Sequence, residues 1–265
     1  VRRQRQMCIR DRSKIKDCMD DLNRLCGNIQ TADAVEILTQ IADENKFIEL
    51  KKDYGTDMVI GFIRLDGETV GCVANRSEVY TDGEKTATYD AALTAAGCEK
   101  AAAFVNFCNA FEIPVLTLTN VNGFKATVCG EKMMAKSVGA LVHAFADATV
   151  PKVNVVIGKA FGTAYTAMNS KAIGADMVYA WENAEIGMMD ADLAAKIMYA
   201  GDDAAALTEK AAEYRELQNS VSSAAARGYV DTIISPADTR KYVIGAFEML
   251  FTKREERPSK KHGTV

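Results

Sequence analysis

The sequence predicts an α/β fold in which helices cover the faces of a parallel sheet. In the second half of the chain, helical segments alternate with short apolar runs such as PVLTLT (114–119) and KVNVVI (152–157). Strands that are apolar throughout are typical of parallel sheets, and alternation of strands with helices is typical of crossover connections. The dipeptide Asp66-Gly67 lies between two earlier apolar segments and predicts a β-hairpin there.

The individual elements are assigned in chain order. Thr31 precedes apolar residues at helical spacing, which predicts a capped amphipathic helix to about Glu44. The hairpin strands are 58–65 and 68–75, and the polar, turn-rich residues 76–93 are expected to form a loop. The remaining predicted elements are helices at 97–111, 130–148 and 163–173, strands at 114–119, 152–157 and 176–181, two helices within 190–217, a strand at 229–234 and a final helix from Pro236.

The composition excludes some classes of partner. The 265 residues are 48% apolar and 26% charged, as in an ordinary globular protein, and the length allows one large domain or two small ones. Five arginines against one aspartate give residues 1–12 a charge of +4, which leaves −8 for residues 13–265 out of the total of −4. The acidic residues 13–265 provide no positive electrostatic potential that would bind a phosphate backbone, so nucleic acid is not an expected partner.

Both the absence of targeting segments and the cysteine spacing indicate a cytoplasmic protein with reduced thiols. No run of 18 apolar residues and no apolar stretch after the first charges is found, which argues against a membrane span or secretory signal and places the protein in the cytoplasm. The cysteines form no Cys-x-x-Cys pair, so we expect reduced, mostly buried thiols and neither a disulfide framework nor a zinc site. The seven cysteines are Cys8, Cys18, Cys26, Cys72, Cys98, Cys108 and Cys129.

Four segments are expected along the chain. Residues 1–12 have no apolar period and are interpreted as a non-native leader, with a basic nucleic-acid tail as the alternative. Residues 13–30 are interpreted as a remnant or linker, and 31–252 as the folded domain. The basic tail 253–265 is expected to leave the core.

The inventory of side chains disfavours several mechanisms. His143 lies within an apolar helical segment and is interpreted as a packed or interface residue, while His262 lies in the tail. The sequence contains no Gly-x-Ser-x-Gly elbow, no histidine–glutamate metal spacing and no phosphate-binding Gly-x-x-x-x-Gly-Lys. A triad hydrolase, a zinc enzyme and a P-loop enzyme are therefore not expected, and no metal is predicted.

Glycines placed just after strands are the positive signal. Gly123 follows the strand at 114–119, and GKAFGTA (158–164) follows the strand at 152–157 and opens a helix. Such turns leave backbone N–H groups free, and these groups can stabilise an oxyanion without a titratable side chain. The alternative is that the glycines only permit tight turns. The residues alone predict an α/β enzyme domain with a possible oxyanion hole.

Longer segments carry a resemblance to a known family. They are FIELKKDYGTDMVIGFIRLDGETVGCVAN (47–75), EKAAAFVNFCNAFEIPVLTL (99–118), FADATVPKVNVVIGKAFGTAY (145–165), ADMVYAWENAEIGMM (175–189), AARGYVDTIISPADTR (225–240) and RPSKKHGTV (257–265). In this order they resemble the C-terminal half of the carboxyltransferase (beta) subunit of biotin-dependent acyl-CoA carboxylases and decarboxylases. The resemblance covers about residues 30–265 and is strongest to the propionyl-CoA and methylmalonyl-CoA enzymes.

The resemblance implies a crotonase-like fold of repeated β-β-α units and an oligomer, usually a hexamer. In the family, an N-terminal domain holds the acyl-CoA and a C-terminal domain, the half present here, receives carboxybiotin. The implied partners are that N-terminal carboxyltransferase domain, a biotin carboxyl carrier protein and biotin carboxylase, or membrane decarboxylase subunits in their place.

The implied mechanism suits a chain with two histidines. Carboxybiotin releases CO2 in the site, backbone N–H groups stabilise the biotin enolate, and a biotin nitrogen takes the α-proton of the acyl-CoA. No side-chain base is required.

The biotin-side oxyanion hole falls on KAFGTAYT (159–166). The resemblance assigns the donors to the backbone N–H groups of Thr163 and Ala164, with Gly162, Tyr165 and Thr166 beside them as cofactor-binding residues. Thr163 replaces a family glycine, so the loop is expected to be shifted or narrowed. Thr166 stands where the family has an aspartate associated with acyl-group selection, which leaves the acyl group open.

The second turn also departs from the family pattern. NVNGF (120–124) keeps Gly123 as a backbone contributor and Phe124 as a cofactor-binding residue, but has Asn120 for aspartate and Asn122 for proline. Lys136 and Ser137 stand at a family Arg-His pair, so either the chemistry has diverged or that pair was structural.

Four residues near the next strand have competing interpretations. Trp181 is interpreted as a packing residue, and Glu185 either shapes the biotin pocket or is a satisfied turn carboxylate. Met188 and Met189 are interpreted as core or interface residues.

Three alternatives to a carboxylase component remain. The same chemistry serves a sodium-pumping acyl-CoA decarboxylase. A crotonase-type hydratase or isomerase would need a positioned carboxylate, for which Glu131, Glu185 and Asp190 are the candidates. A non-catalytic assembly subunit is the third.

Overall fold

The computed structural model describes residues 20–27, 33–81, 84–201 and 203–256. The helices in these ranges are α1 (Ala34–Ile41), α2 (Ala95–Ala110), α3 (Val128–Asp147), α4 (Gly162–Ala167), α5 (Ala191–Met198), α6 (Ala204–Tyr214), α7 (Val221–Ala226) and α8 (Thr239–Leu250). The strands are β1 (Phe47–Leu50), β2 (Met58–Leu65), β3 (Glu68–Asn75), β4 (Glu78–Thr81), β5 (Glu84–Thr88), β6 (Ala92–Leu93), β7 (Val115–Val121), β8 (Gly123–Phe124), β9 (Lys152–Phe161), β10 (Met177–Trp181), β11 (Glu185–Gly187) and β12 (Thr232–Ile234).

An eight-stranded sheet forms the centre of the molecule. Its order is β1-β2-β3-β7-β9-β10-β12, and β11 pairs with the end of β9. The first three strands are antiparallel, whereas the pairs from β3 to β12 are parallel. The predicted α/β class and helix-covered parallel sheet are confirmed, with an antiparallel extension at the hairpin end.

The two faces of the sheet bury separate cores because side chains alternate along each strand. On one face, Val73 of β3 and Val156 of β9 pack with residues of α2, α3, α4 and α7. On the other face, Cys72 and Val155 pack with residues of α1 and α8. Strands buried on both faces explain the continuous apolar runs in the sequence.

The predicted hairpin of β2 and β3 is confirmed. Leu65 pairs with Glu68, so Asp66 and Gly67 form a two-residue turn. Both adopt left-handed conformations, with φ of 51° and 78°. That is the geometry of the turns that match the twist of antiparallel strands, and it explains the Asp-Gly signal.

The N-cap of α1 is Asp33, and Thr31 lies outside the described residues. Asp33 Oδ1 accepts a hydrogen bond from Val35 N at 2.9 Å. The helix ends at Ile41, three residues before the predicted end, because Ala42 is extended and a short 3-10 turn follows at Asp43–Asn45.

The prediction of a loop over 76–93 is wrong. Residues 78–81 and 84–88 form an antiparallel two-stranded ribbon, and Ala92–Leu93 pairs with β8. β5 is exposed at every residue, so the ribbon has no apolar alternation by which the sequence could be recognised as strand. Asp33 Oδ2 accepts from Tyr80 N at 2.8 Å and attaches the ribbon to the start of α1.

The predicted helix at 163–173 is too long and the preceding strand too short. β9 continues to Phe161 because β11 pairs with its last three residues. The helix α4 ends at Ala167, and Lys171–Ile173 form a separate 3-10 turn. The extended strand places the glycine turn directly beside β11.

The C-terminal elements are present with shifted ends. Helices α5 and α6 lie within the predicted 190–217, and a π-helical turn at Arg215–Asn219 follows them. The strand is shorter than predicted, and Pro236 opens a 3-10 turn rather than α8 itself. Propensity locates these elements, whereas packing sets their ends.

Residues at both ends of the described chain contact the domain body. Cys26 N donates to Ala237 O at 2.9 Å, so the part of the expected linker that is described packs on the domain. At the other end, Lys253 Nζ donates to Asp176 Oδ2 at 2.8 Å. Residues 1–19, 28–32 and 257–265, which include His262, lie outside the described residues, and the four-segment division stays a prediction.

The thiol prediction holds for most of the described cysteines. Four are buried and Cys129 is exposed. Burial raises the pKa of Cys98 and Cys108 to about 12, so both thiols stay protonated at neutral pH. No helix within the described ranges is long and apolar enough to span a bilayer.

Candidate functional site

The turn between β9 and α4 contains the predicted oxyanion donors. Gly162 has a φ of +59°, and a Cβ at this position would lie 3.1 Å from Met188 O, so the turn favours glycine on two counts. Thr163 is exposed and Ala164 is buried. No side chain caps α4, and N–H groups of a first helical turn lack intrahelical acceptors.

Strand β11 supports this turn from the side. It pairs in parallel with the end of β9, with Glu185 opposite Lys159 and Gly187 opposite Phe161. Met188, the residue after β11, places its carbonyl oxygen beside Gly162, at 3.1 Å from where a Cβ would lie, so the segment after β11 packs against the start of the turn.

The structure brings the second glycine turn close to the first. Gly123 and Phe124 form β8, which pairs with β6 and contacts α4. A Cβ added to Gly123 would meet no atom within 4 Å, so this glycine borders open space. The two segments that the sequence separates by about forty residues therefore lie at adjacent strand ends.

Asn120 connects the two turns. Its Oδ1 accepts from Lys159 N at 2.9 Å and its Nδ2 donates to Ser77 Oγ at 3.0 Å. Asn75 holds the backbone of Asn120 from the other side, with Asn75 Oδ1 accepting from Asn120 N at 2.8 Å and Asn75 Nδ2 donating to Asn120 O. Gly158 accommodates the amide, since a Cβ there would lie 2.6 Å from Asn120 Oδ1.

This network yields a prediction for Asn120. Asn120→Asp is expected to preserve stability within about 1 kcal/mol, because a carboxylate still accepts from Lys159 N and the Ser77 hydroxyl can donate to it. Asn120→Leu removes both bonds and is expected to cost about 1–3 kcal/mol. Urea denaturation of the two variants measures the difference, and equal losses would contradict the assignment.

Thr166 and Tyr165, the predicted cofactor-binding residues of α4, are placed differently. Thr166 is half-buried and its Oγ1 lies 3.4 Å from Gly162 O. Tyr165 is a core residue, and among the described residues its buried hydroxyl has no hydrogen-bonding partner. Burial raises the pKa of Tyr165 to about 12, so its hydroxyl stays protonated at neutral pH.

The three candidate carboxylates do not form a catalytic pair. Glu131 is exposed in the first turn of α3. Glu185 Oε1 lies 3.5 Å from Arg215 Nε. Asp190 caps α5 and pairs with Lys159 at 3.0 Å. Burial opposes its ionisation, but the hydrogen bond and charge of Lys159, together with backbone N–H donors of α5, outweigh burial and lower the pKa of Asp190. Both Glu185 and Asp190 are thus engaged by basic side chains rather than by each other.

Residues at the diverged family positions are structural or exposed. Ser137 is fully buried, and its Oγ lies 2.9 Å from Glu99 Oε1 on α2. Lys136 is exposed, while His143 is half-buried on α3. The buried Ser137 favours the structural explanation of the family pair.

Packing interpretations near β10 are partly confirmed. Trp181 is buried, and its Nε1 donates to Thr239 Oγ1 at 3.0 Å. Met188 is 77% exposed, which excludes a core role and leaves the interface role as a prediction. Met189 O accepts from Asn219 Nδ2 at 3.0 Å.

Sequence reasoning missed the amides that support the site. Asn75 ends a strand and Asn219 precedes Ser220, the N-cap of α7, so both resemble ordinary boundary residues. Burial of an asparagine side chain leaves no pattern in one sequence. The one trace in the sequence is Gly187, a glycine at the end of a strand that lies against the amide of Asn219.

The fold and these turns define a class of protein: an α/β domain with helices on a largely parallel sheet and glycine turns at the ends of adjacent strands. Within the described ranges, no group of three or more His, Cys, Asp or Glu residues could hold a metal ion. The chain belongs to the carboxyl transferase domain family, which it matches over residues 10–265.

Curated relatives agree with this assignment. The methylmalonyl-CoA carboxyltransferase 12S subunit of Propionibacterium freudenreichii is 42% identical over 238 residues, 87% of this chain and 44% of that protein. The propionyl-CoA carboxylase beta chain of Roseobacter denitrificans is 37% identical over 274 residues, covering 97% and 51%. The chain spans about half the length of the curated relatives it matches and corresponds to their C-terminal half.

Solved structures confirm the crotonase-like fold that the resemblance implied. The transcarboxylase 12S structure, described as a hexamer with methylmalonyl-coenzyme A and methylmalonic acid bound, superposes with a TM-score of 0.84 at 38% identity. It covers 94% of this chain and 49% of that one. The beta subunit of geranyl-CoA carboxylase from P. aeruginosa gives a TM-score of 0.72 at 25% identity, with coverage of 87% and 43%.

Proposed function

We propose that this chain is the biotin-side half of an acyl-CoA carboxyltransferase, which moves a carboxyl group between carboxybiotin and the α carbon of a short acyl-CoA. One observation carries the proposal: the Gly162–Ala164 turn, in a chain of this family, lies beside β8 at the ends of adjacent strands. The acyl-CoA is proposed to bind a second carboxyltransferase domain that corresponds to the N-terminal half of the relatives.

The residues at this turn suit binding of the ureido oxygen of biotin better than they suit a metal site or a nucleophilic side chain. The left-handed Gly162 turns the chain so that Thr163 and Ala164 follow in the first turn of α4. Two backbone donors at fixed spacing suit one oxygen that gains negative charge. A Cβ at Gly123 would meet no atom of the described residues within 4 Å, so the surface beside these donors is open.

The chain's own residues supply electrostatics and position. Carboxybiotin, when bound, supplies both the carboxyl group and the nitrogen that accepts a proton. The N–H groups of Thr163 and Ala164 stabilise the developing oxygen charge, Gly123 contributes the neighbouring backbone, and the ring of Phe124 bounds the space. Asn120 and β11 hold the turn so that its donors need no reorganisation. No side-chain base takes part, consistent with the paired states of Glu185 and Asp190.

Carboxyl transfer to free biocytin tests the function. The complete subunit, comprising this chain and the domain that holds acyl-CoA, is incubated with biocytin and malonyl-CoA or methylmalonyl-CoA, and decarboxylated acyl-CoA is measured. We expect transfer that depends on biocytin. Absence of transfer from every short acyl-CoA, with hydration of crotonyl-CoA instead, would establish the hydratase alternative.

We further propose that the exposed apolar face of α5 is covered in a homo-oligomer, a hexamer by analogy with the 12S relative. Leu193 and Ile197 lie four residues apart on α5 and are 52% and 60% exposed, and Met198 beside them is 61% exposed. Side chains at this spacing share one helix face, and an apolar face next to a site is typical of a covered surface. A biotin carboxyl carrier protein and biotin carboxylase, or membrane decarboxylase subunits, complete the proposed assembly.

Charges on this face are expected to weaken the assembly. Leu193→Lys combined with Ile197→Lys should shift the complete subunit toward smaller species, because each apolar side chain contributes about 1.5–3 kcal/mol on burial. Light scattering after size-exclusion chromatography measures the mass. The matched control is Ala103→Lys with Asn106→Lys, two exposed positions on α2. Unchanged mass for the α5 variant would exclude this face from the interface.

A further inference from the structure

Asn219 is a buried polar residue outside the predicted site. Its side chain is fully buried at the end of the π-helical turn Arg215–Asn219. π-Helical turns are rare and occur often at functional sites. The following residue, Ser220, bridges to Glu185 of β11, so the π-helical turn lies against that strand.

The amide of Asn219 contacts the end of β11 and the residues that follow it. Its Nδ2 donates to Met189 O at 3.0 Å. Its Oδ1 lies against Gly187, where an added Cβ would collide with it. Among the described residues this Oδ1 accepts no hydrogen bond, so its placement is set by the contact with Gly187 and the bond to Met189.

The segment that Asn219 contacts, Gly187–Met189, packs against the Gly162–Ala164 turn that contains the proposed oxyanion donors. Gly187 pairs with Phe161, the last residue of β9, and Met188 O lies beside Gly162, 3.1 Å from where a Cβ would be. The chain of contacts therefore runs from Asn219 through Gly187–Met189 to the first residue of the turn.

We propose that Asn219 is a positioning residue for the backbone donors at Thr163 and Ala164. It acts through β11 and touches no reacting atom. The role rests on the proposed function for its effect on rate, whereas its effect on the turn is independent of any substrate. A displacement of about 1 Å in a positioned group can cost about 100-fold in rate.

Asn219→Ala in the complete subunit tests the role with two readouts. Backbone amide exchange in the peptide 159–166 is expected to become about tenfold faster or more, because local opening of the turn is easier. The kcat of carboxyl transfer to biocytin is expected to fall about 10- to 100-fold. Asn219→Ser, a smaller perturbation, replaces it if the alanine variant does not fold.

The control is Thr239→Val, which removes a comparable buried polar contact, that to Trp181, from the core on the opposite face. It should lower thermal stability while leaving exchange in 159–166 and kcat unchanged. Amide exchange in 159–166 that is no faster in Asn219→Ala than in Thr239→Val would overturn the proposal. If the wild-type subunit shows no carboxyl transfer, the proposed function fails, and the exchange readout still decides the role of Asn219.

A second variant addresses the partner of the contact. Gly187→Ala should also accelerate exchange in 159–166, because its Cβ collides with the Asn219 amide. In the Asn219→Ala background the collision is absent, so adding Gly187→Ala should have little further effect. Additive effects of the two substitutions would show that they act on the turn independently and would contradict the proposal.

Discussion

Thr163→Pro is expected to lower carboxyl transfer to biocytin by about 10²- to 10³-fold, because proline removes the backbone N–H that the proposal assigns to the oxyanion. The substitution is suited to this question since Thr163 is exposed and lies in the first turn of a helix, where proline is tolerated. The loss should appear in kcat, because the donor acts on charge that develops in the transition state. Steady-state kinetics of the complete subunit provide the measurement.

Thr163→Ala is the matched control. It truncates the same exposed side chain but keeps the N–H, so transfer should stay within about threefold of the wild type. Thr163→Gly, which introduces the glycine that the sequence resemblance implies for this position, should be at least as active as the wild type. Equal losses in the proline and alanine variants would mean that the side chain matters, and full activity of Thr163→Pro would favour a non-catalytic subunit.

Asp43→Ala is expected to destabilise the chain by about 3–5 kcal/mol, because it leaves the guanidinium of Arg240 buried without its nearest anion. Arg240 is fully buried on α8, with Nη2 2.6 Å from Asp43 Oδ1 and Nη1 2.6 Å from Ile41 O. The same carboxylate accepts from the turn amides of the β2–β3 hairpin, Gly67 N at 2.8 Å and Asp66 N at 3.2 Å. One carboxylate thus joins α8, the end of α1 and the hairpin.

Urea denaturation of the isolated chain measures this loss. Lys46→Ala is the control, since the Lys46–Glu44 pair lies nearby with side chains 75% and 55% exposed. An exposed pair contributes about 0–1 kcal/mol, so this variant should unfold close to the wild-type midpoint. A loss below about 1 kcal/mol for Asp43→Ala would show that water or Asp20 replaces the lost anion.

Thr163→Pro and Asp43→Ala distinguish residues that act in the candidate site from residues that stabilise the fold. Thr163→Pro should remove activity with little change in stability, whereas Asp43→Ala should lower stability while leaving the turn unchanged in the folded fraction. The separation follows from the two cores, since α4 packs on one face of the sheet and α8 on the other.

Local pattern was sufficient for the sheet and the hairpin. Strands such as β7 and β9 are rich in apolar residues because both of their faces are buried. The dipeptide Asp66-Gly67 favours the left-handed conformations that its turn adopts. The ribbon of β4 and β5 could not be predicted from the pattern, because β5 is exposed at every residue and a strand without a buried face shows no apolar alternation.

The sequence by itself determined the fold class, the family resemblance and the glycine turns at Gly123 and Gly162, since each depends on neighbouring residues. Only the tertiary structure decided that these turns meet, that Tyr165 is a core residue and that Asn120 and Asn219 support the site. The physical reason is that burial and hydrogen bonding join residues far apart in the chain. An asparagine in the sequence looks the same whether water or a distant strand satisfies its amide.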